Sequence, residues 1–89
     1  MQKQILEGKT ALVTGGTRGI GYSIAETLLK HGAQVFICGT SQAGVDRAVS
    51  QMKGSNGNRI AGRTCDVRDY EQVKRTFADV ERRYGGLDI

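Results

Sequence analysis

Thr10-Ala11-Leu12-Val13-Thr14-Gly15-Gly16-Thr17-Arg18-Gly19-Ile20-Gly21 decides the fold. Its first five residues form a short apolar run that reads as a buried strand. The run enters a glycine-rich turn, and from Gly19 the apolar period becomes helical: Ile20, Ile24 and Leu28 recur every four residues, with Ala25 and Leu29 beside them. A strand that feeds a helix through so tight a turn leaves the first-turn N–H groups without partners and aims the positive helix end at whatever lies over the strand ends. A pyrophosphate fits that place. Gly15 is expected to permit the turn, Gly19 to let the backbone approach the phosphates, and Gly21 to let the helix pack against the sheet.

The same alternation continues outward. His31-Gly32 stops the first helix, and Gln34 to Cys38 is a second strand, ended by Gly39. Ser41 can cap a second helix whose Val45, Ala48, Val49 and Met52 follow the i, i+3, i+4, i+7 spacing. Gly54 to Asn58 is a loop; its Asn-Gly pair would suit a hairpin, but a helix precedes it, so a helix-to-strand connection is expected. Arg59 to Asp66 reads as a third strand, mixed in polarity as befits a sheet edge. A third helix from about Asp69 is expected to bury Val73, Phe77, Val80 and Tyr84 and to end at Gly85-Gly86, and Leu87-Asp88-Ile89 opens a fourth strand. The order β-α-β-α-β-α with the start of a fourth strand predicts an α/β fold: the N-terminal portion of a doubly wound parallel sheet of the Rossmann type.

Composition narrows the classes. Thirteen of the 89 residues are Gly and none is Pro, about twice ordinary Gly usage but without the three-residue period of collagen. No apolar run approaches the roughly 18 residues of a membrane span, and the start Met1 to Gly8 lacks the apolar core of a signal peptide, so no membrane association and a cytoplasmic, reducing compartment are expected. Two Cys and one His are too few for a zinc site, so no metal is expected. The net charge of +4 does not argue for nucleic acid, because bases alternate with acids along the last helix; Lys53, Arg59, Arg63 and Arg68 are less balanced, with only Asp66 among them.

Two rival glycine motifs fail. A Walker loop needs Gly-Lys-Ser/Thr where this chain has Gly21-Tyr22-Ser23, and the general G-x-G-x-x-G fingerprint is out of register. What is present is T-G-x-x-x-G-x-G over Thr14 to Gly21, preceded by Gly8-Lys9. His31-Gly32-Ala33 leads into the second strand, Cys65-Asp66-Val67 closes the third, and Leu87-Asp88-Ile89 opens the fourth. In these motifs the chain resembles the short-chain dehydrogenase/reductase family, and in its Gly39-Thr40 strand ending the 3-oxoacyl-(acyl-carrier-protein) reductases among them. The resemblance covers residues 1–89 but only about the first third of the family's fold, an incomplete dinucleotide-binding portion of a single domain. It implies hydride transfer between a nicotinamide cofactor and a small ketone or secondary alcohol, and homo-oligomerisation is expected of a full-length form.

An NAD-preferring site of this kind carries an acid at the end of the second strand, where this chain has Gly39, Thr40 and Ser41. A 2′-phosphate there meets no repulsion. Arg18 can supply its countercharge and the Thr40 and Ser41 hydroxyls can donate to it, so NADP is expected in preference to NAD. The resemblance further implies that Asp66 accepts a bond from the adenine amino group while Val67 packs near the ring; the residues alone also allow Asp66 to be a helix-entry carboxylate. Thr17 either bonds phosphate or shapes the turn. The candidate cofactor residues are therefore Gly15, Gly16, Thr17, Arg18, Gly19, Ile20, Gly21, Thr40, Ser41, Asp66 and Val67.

The family's catalytic Tyr, its Lys four residues later, its Ser and its Asn would lie beyond Ile89, so no catalytic residue is assigned. Tyr70 and Lys74 have the Tyr-x-x-x-Lys spacing but sit in the helix after the third strand, where an i, i+4 surface pair explains them. Cys38 and Cys65 end adjacent strands and are expected to be buried neighbours. Two readings of another class stand beside the enzyme: a non-catalytic nucleotide-binding fragment, and an interaction module.

Overall fold

In the computed structural model, which describes residues 5–54 and 56–89, Gln34–Gly39 is the central strand of a three-stranded parallel sheet. In chain order the elements are β1 (Thr10–Thr14), α1 (Gly19–Lys30), β2 (Gln34–Gly39), α2 (Gln42–Lys53), β3 (Ile60–Thr64) and α3 (Tyr70–Tyr84), with a 3₁₀ turn at Gly57–Arg59 before β3. The sheet order is β1-β2-β3. Val13 lies opposite Ile37, and Ile37 opposite Gly62, so these three share one face.

β2 is apolar on both faces because both are covered. Val35 and Ile37 join Ala25 and Leu29 of α1 and Ala48 and Met52 of α2 in one core layer. Phe36 and Cys38 point the other way, to Ala61, Cys65 and Val80 of α3. A continuous apolar run is what a parallel strand buried on two sides requires. Ile37 fills the most demanding position: a Cβ added at Gly16 would lie 2.8 Å from its Cγ2, and one added at Gly62 2.8 Å from its Cγ1.

The helix ends follow the residues that cap them. Ser41 Oγ accepts the Gly44 N–H at 3.2 Å, as its position predicts. Asp69 accepts from the N–H groups of Glu71 and Gln72, so Asp69 rather than Asp66 is the entry carboxylate of α3. Gly85 ends α3 in the left-handed region at φ +83°.

Three expectations are corrected, and the inner face of α1 is defined. β3 is shorter than Arg59 to Asp66. Arg59 closes the 3₁₀ turn, and its Nη1 donates to the carbonyls of Leu29 and Ala33, each at 3.0 Å; beyond Thr64 the chain turns away toward α3. In α1 the sheet-facing positions are Ala25 and Leu29, whereas Ile20 is 81% and Ile24 47% exposed. Either i, i+4 stripe satisfies the helical period; the one with small residues wins, since Gly21 and Ala25 let the helix axis come close to the sheet and turn. In α3, Thr76 and Val80 are buried and Phe77 is exposed; the Thr76 hydroxyl donates to the Gln72 carbonyl at 2.9 Å, which is why it tolerates burial. Leu87–Ile89 is not a regular strand, but it docks where a fourth one belongs. The Asp88 and Ile89 N–H groups donate to the Thr10 carbonyl, Leu12 N–H donates to the Ile89 carbonyl, and Asp88 Oδ2 accepts the Thr10 N–H at 2.9 Å. The segment thus lies along the side of β1 away from β2.

The expected loop after α2 includes Ser55, and the expected leaderless start includes Met1 to Gln4; these residues lie outside the described ones. Among the described residues no helix is long and apolar enough to cross a membrane.

Ile37→Ala is expected to lower the unfolding free energy by about 2–5 kcal/mol, because neither flanking glycine has a side chain that could fill the void. Urea denaturation of the variant measures this; a loss well under 1 kcal/mol would show that the layer collapses into the space.

Candidate functional site

The carboxyl ends of the strands, where chain order reverses from β3 back to the far side of β1, hold one crevice lined from three directions. Thr14, Gly15, Thr17 and Arg18 come from the turn after β1, and Gly39 and Thr40 from the end of β2. Asp66, Val67 and Arg68 come from the turn after β3, with Cys38 and Cys65 on the floor. A reversal of strand order at this end of a parallel sheet is where such folds bind ligands.

The glycine turn is built by exclusion. Gly15 takes φ +66°, a left-handed conformation that a side chain would strain. A Cβ at Gly21 would stand 2.1 Å from the Gly15 carbonyl oxygen, so the helix start is pressed onto the turn itself rather than onto the sheet as expected. The turn is anchored sideways by the Gly16 N–H, which donates to the Cys38 carbonyl at 3.1 Å. Thr17 packs its methyl over Gly39, where a Cβ would come within 2.5 Å of it. The Thr17 methyl therefore shapes the crevice wall.

At the mouth of the turn, α1 has no side-chain cap and no acidic residue in its first turn. Among the described residues no acceptor takes the N–H groups of Gly19, Ile20 or Gly21. Arg18 is extended and exposed, and its side chain has no partner among the described residues. These donors and this charge suit an anion. No carboxylate stands at the end of β2: Gly39 is buried, and Thr40 and Ser41 are exposed hydroxyl residues. The Ser41 oxygen accepts the α2 cap bond, which leaves its proton available to donate.

Most of the residues singled out from the sequence converge here. Thr17, Arg18, Gly15, Thr40, Asp66 and Val67 line the crevice, Gly16 and Gly21 shape it from behind, and Ser41 lies at its rim next to Thr40. Ile20 does not: its side chain lies on a separate apolar groove with Ile24 and Leu28. The sequence reading missed Arg68, whose guanidinium forks Asp66, with Nε to Oδ1 and Nη2 to Oδ2 both at 3.0 Å. Only the i, i+2 spacing of opposite charges in a turn could have signalled it. Hydrogen bonding from Arg68 holds the Asp66 carboxyl below the usual carboxylate range. Two of the other less balanced bases also find partners: Arg63 pairs with Asp79, and Arg59 holds the Leu29 and Ala33 carbonyls. Tyr70 and Lys74 are outside the crevice; the Lys74 ammonium sits over the exposed Tyr70 ring, 5.4 Å from its centre, a cation–π contact on the surface of α3.

Cys38 and Cys65 are buried, unbonded neighbours. Burial, with the adjacent Cys65 thiol, pushes the Cys38 thiol up to about 12. A thiol whose pKa is raised by the fold favours the folded state below its ordinary value, and that contribution fades as pH rises toward 12.

Two expected outcomes follow from this geometry. Gly21→Ala should cost about 1–3 kcal/mol in urea unfolding, since only backbone can yield to the new methyl. Gly86→Ala, where a Cβ meets nothing within 4 Å, should stay within about 0.5 kcal/mol; equal losses would refute the close-approach account. Iodoacetamide at pH 8 should leave Cys38 unmodified in the folded protein and label it in urea, and rapid native labelling read by mass spectrometry would contradict the buried, protonated thiol.

Residues 9–89 match the short chain dehydrogenase family. The chain is 43% identical over 84 residues to a 3-oxoacyl-(acyl-carrier-protein) reductase of Vibrio harveyi, covering 94% of this chain and 33% of that protein. It is 40% identical over all 89 residues to a (+)-cis,cis-nepetalactol synthase of Nepeta racemosa, 32% of that protein. A solved structure from Novosphingobium aromaticivorans, assigned to the short-chain dehydrogenases, superposes with a TM-score of 0.88 at 32% identity, covering 92% of this chain and 30% of that one. The chain spans about a third of the length of the curated relatives it matches. With the turn, the parallel sheet and the family match in agreement, the chain belongs to the short-chain dehydrogenase/reductase family.

Proposed function

We propose that these 89 residues supply the cofactor-binding portion of an NADP(H)-dependent oxidoreductase that interconverts a ketone and a secondary alcohol. One observation carries the cofactor choice: Arg18 stands beside the glycine turn, facing across the crevice to a strand end that offers Gly39 and Thr40 in place of a carboxylate. The N–H groups of Gly19, Ile20 and Gly21 suit the pyrophosphate. Arg18, Thr40 and Ser41 suit a 2′-phosphate, Arg18 as a planar fork and the two hydroxyls as donors. Asp66 and Val67 take the adenine end.

The chemistry supplied by the bound nicotinamide is hydride donation or acceptance. The residues of this chain bind and orient. The rigid turn fixes the phosphates, and the β2 end selects the ribose substituent. Proton transfer to or from the substrate oxygen belongs, by family likeness, to a Tyr and Lys outside these residues.

Titration of NADPH and NADH against Arg18→Ala, in the protein at its natural length, tests the cofactor assignment. Loss of one charge-assisted phosphate contact should weaken NADPH by about tenfold to a hundredfold and leave NADH within about threefold. An equal loss for both cofactors would remove Arg18 from the 2′-phosphate.

A further inference from the structure

The turn after β3 holds its carboxylate more tightly than a solvent-facing turn needs. Asp66 Oδ1 accepts from the Arg68 backbone N–H and from Arg68 Nε, each at 3.0 Å, and Oδ2 accepts from Arg68 Nη2 at 3.0 Å. The main chain on either side is pinned as well. The Asp66 N–H donates to Gln72 Oε1 at 2.8 Å, and the Asp66 carbonyl accepts the Asp69 N–H at 2.9 Å. Gln72 is itself held, its Nε2 donating to Asp69 Oδ2 at 3.0 Å. A carboxylate offers about four acceptor positions. Both on Oδ1 and one on Oδ2 are taken, which leaves one, on Oδ2, in a group that lines the crevice.

We infer that Arg68 is a positioning residue for base recognition: by forking Asp66 it reduces the carboxylate to a single oriented acceptor, which selects a base carrying an exocyclic amino group. The inference rests on the reading of the crevice as a dinucleotide site and goes beyond it in naming what sets the base preference. The chemistry is one-sided. An ionised carboxylate can only accept, so an amino group at position 6 of a purine satisfies it, whereas a carbonyl at the same position meets a lone pair with a lone pair. The same bonds from Arg68 lower the Asp66 pKa, in the direction that favours the ionised, acceptor-only form. A free aspartate could rotate to offer other oxygens, or turn to water; the fork removes that freedom. Stability does not explain the pair. The Arg68 side chain is 87% exposed, and ion pairs so open to solvent contribute little to folding.

The test compares NADPH with its deaminated analogue, in which hypoxanthine replaces adenine, by titration against the protein at its natural length. In Arg68→Ala the preference for the adenine form should fall by about three- to tenfold while the urea midpoint is unchanged. Arg68→Lys, which keeps the charge and loses the fork, should behave as the alanine variant does. If both variants keep the wild-type preference, or if Lys restores it, Arg68 acts through charge alone or not at all and the inference is overturned. Should the wild-type protein bind neither dinucleotide, the reading of the crevice itself fails, a result distinct from the first.

Discussion

Ile37 stands between two absences. Its branched side chain fills the space that a Cβ at Gly16 or at Gly62 would claim, 2.8 Å away on each side. That wedge ties the turn after β1 to the centre of the sheet and lets β3 lie flat beside β2. The Gly16 N–H bond to the Cys38 carbonyl then fixes the height of the turn over the strand ends. The crevice inherits its shape from this packing: Thr17 is carried over Gly39, and α1 begins close enough to touch Gly15. The backbone of the glycine turn is thus held by apolar close packing one layer beneath it, and a larger residue at any of these glycines would disturb both at once.

Charge is arranged with the same economy. Of the bases around the sheet, Arg59 is spent on carbonyls, Arg63 on Asp79 and Arg68 on Asp66. Arg18 alone lines the crevice with no partner among the described residues. Because Arg68 and Asp66 offset one another, the field in the crevice carries the sign of Arg18, and an anionic ligand meets attraction without a competing neighbour.

Much of this was legible in the residues. The apolar run of β2, the capping Ser41 and the glycines at Gly15 and Gly85 each have one physical use, and the fold follows from their order. The residues of α1 show a helix but not its inner face, because a four-residue repeat does not say which of two adjacent stripes faces the sheet; the small side chains of Gly21 and Ala25 decide it through distance, a quantity with no period. Phe77 gave way to Thr76 for a related reason, since a hydroxyl that bonds its own helix backbone is no longer costly to bury. Arg68 escaped notice because its partnership with Asp66 depends on a turn and two rotamers, and spacing alone reports neither.

Arg59 joins the end of α1 to the start of β3 through the carbonyls of Leu29 and Ala33, residues that are 30 and 26 positions away in the chain. One guanidinium thereby adds a donor to the last turn of a helix it does not belong to, beside the backbone N–H groups that cap it. Opening of the helix end would cost the guanidinium its acceptors, and opening of the 3₁₀ turn would leave the Leu29 carbonyl with the Gly32 N–H as its remaining donor. The strand farthest from the glycine turn is thereby coupled, through one side chain, to the end of the helix that the turn begins, a link that local opening at either place would break.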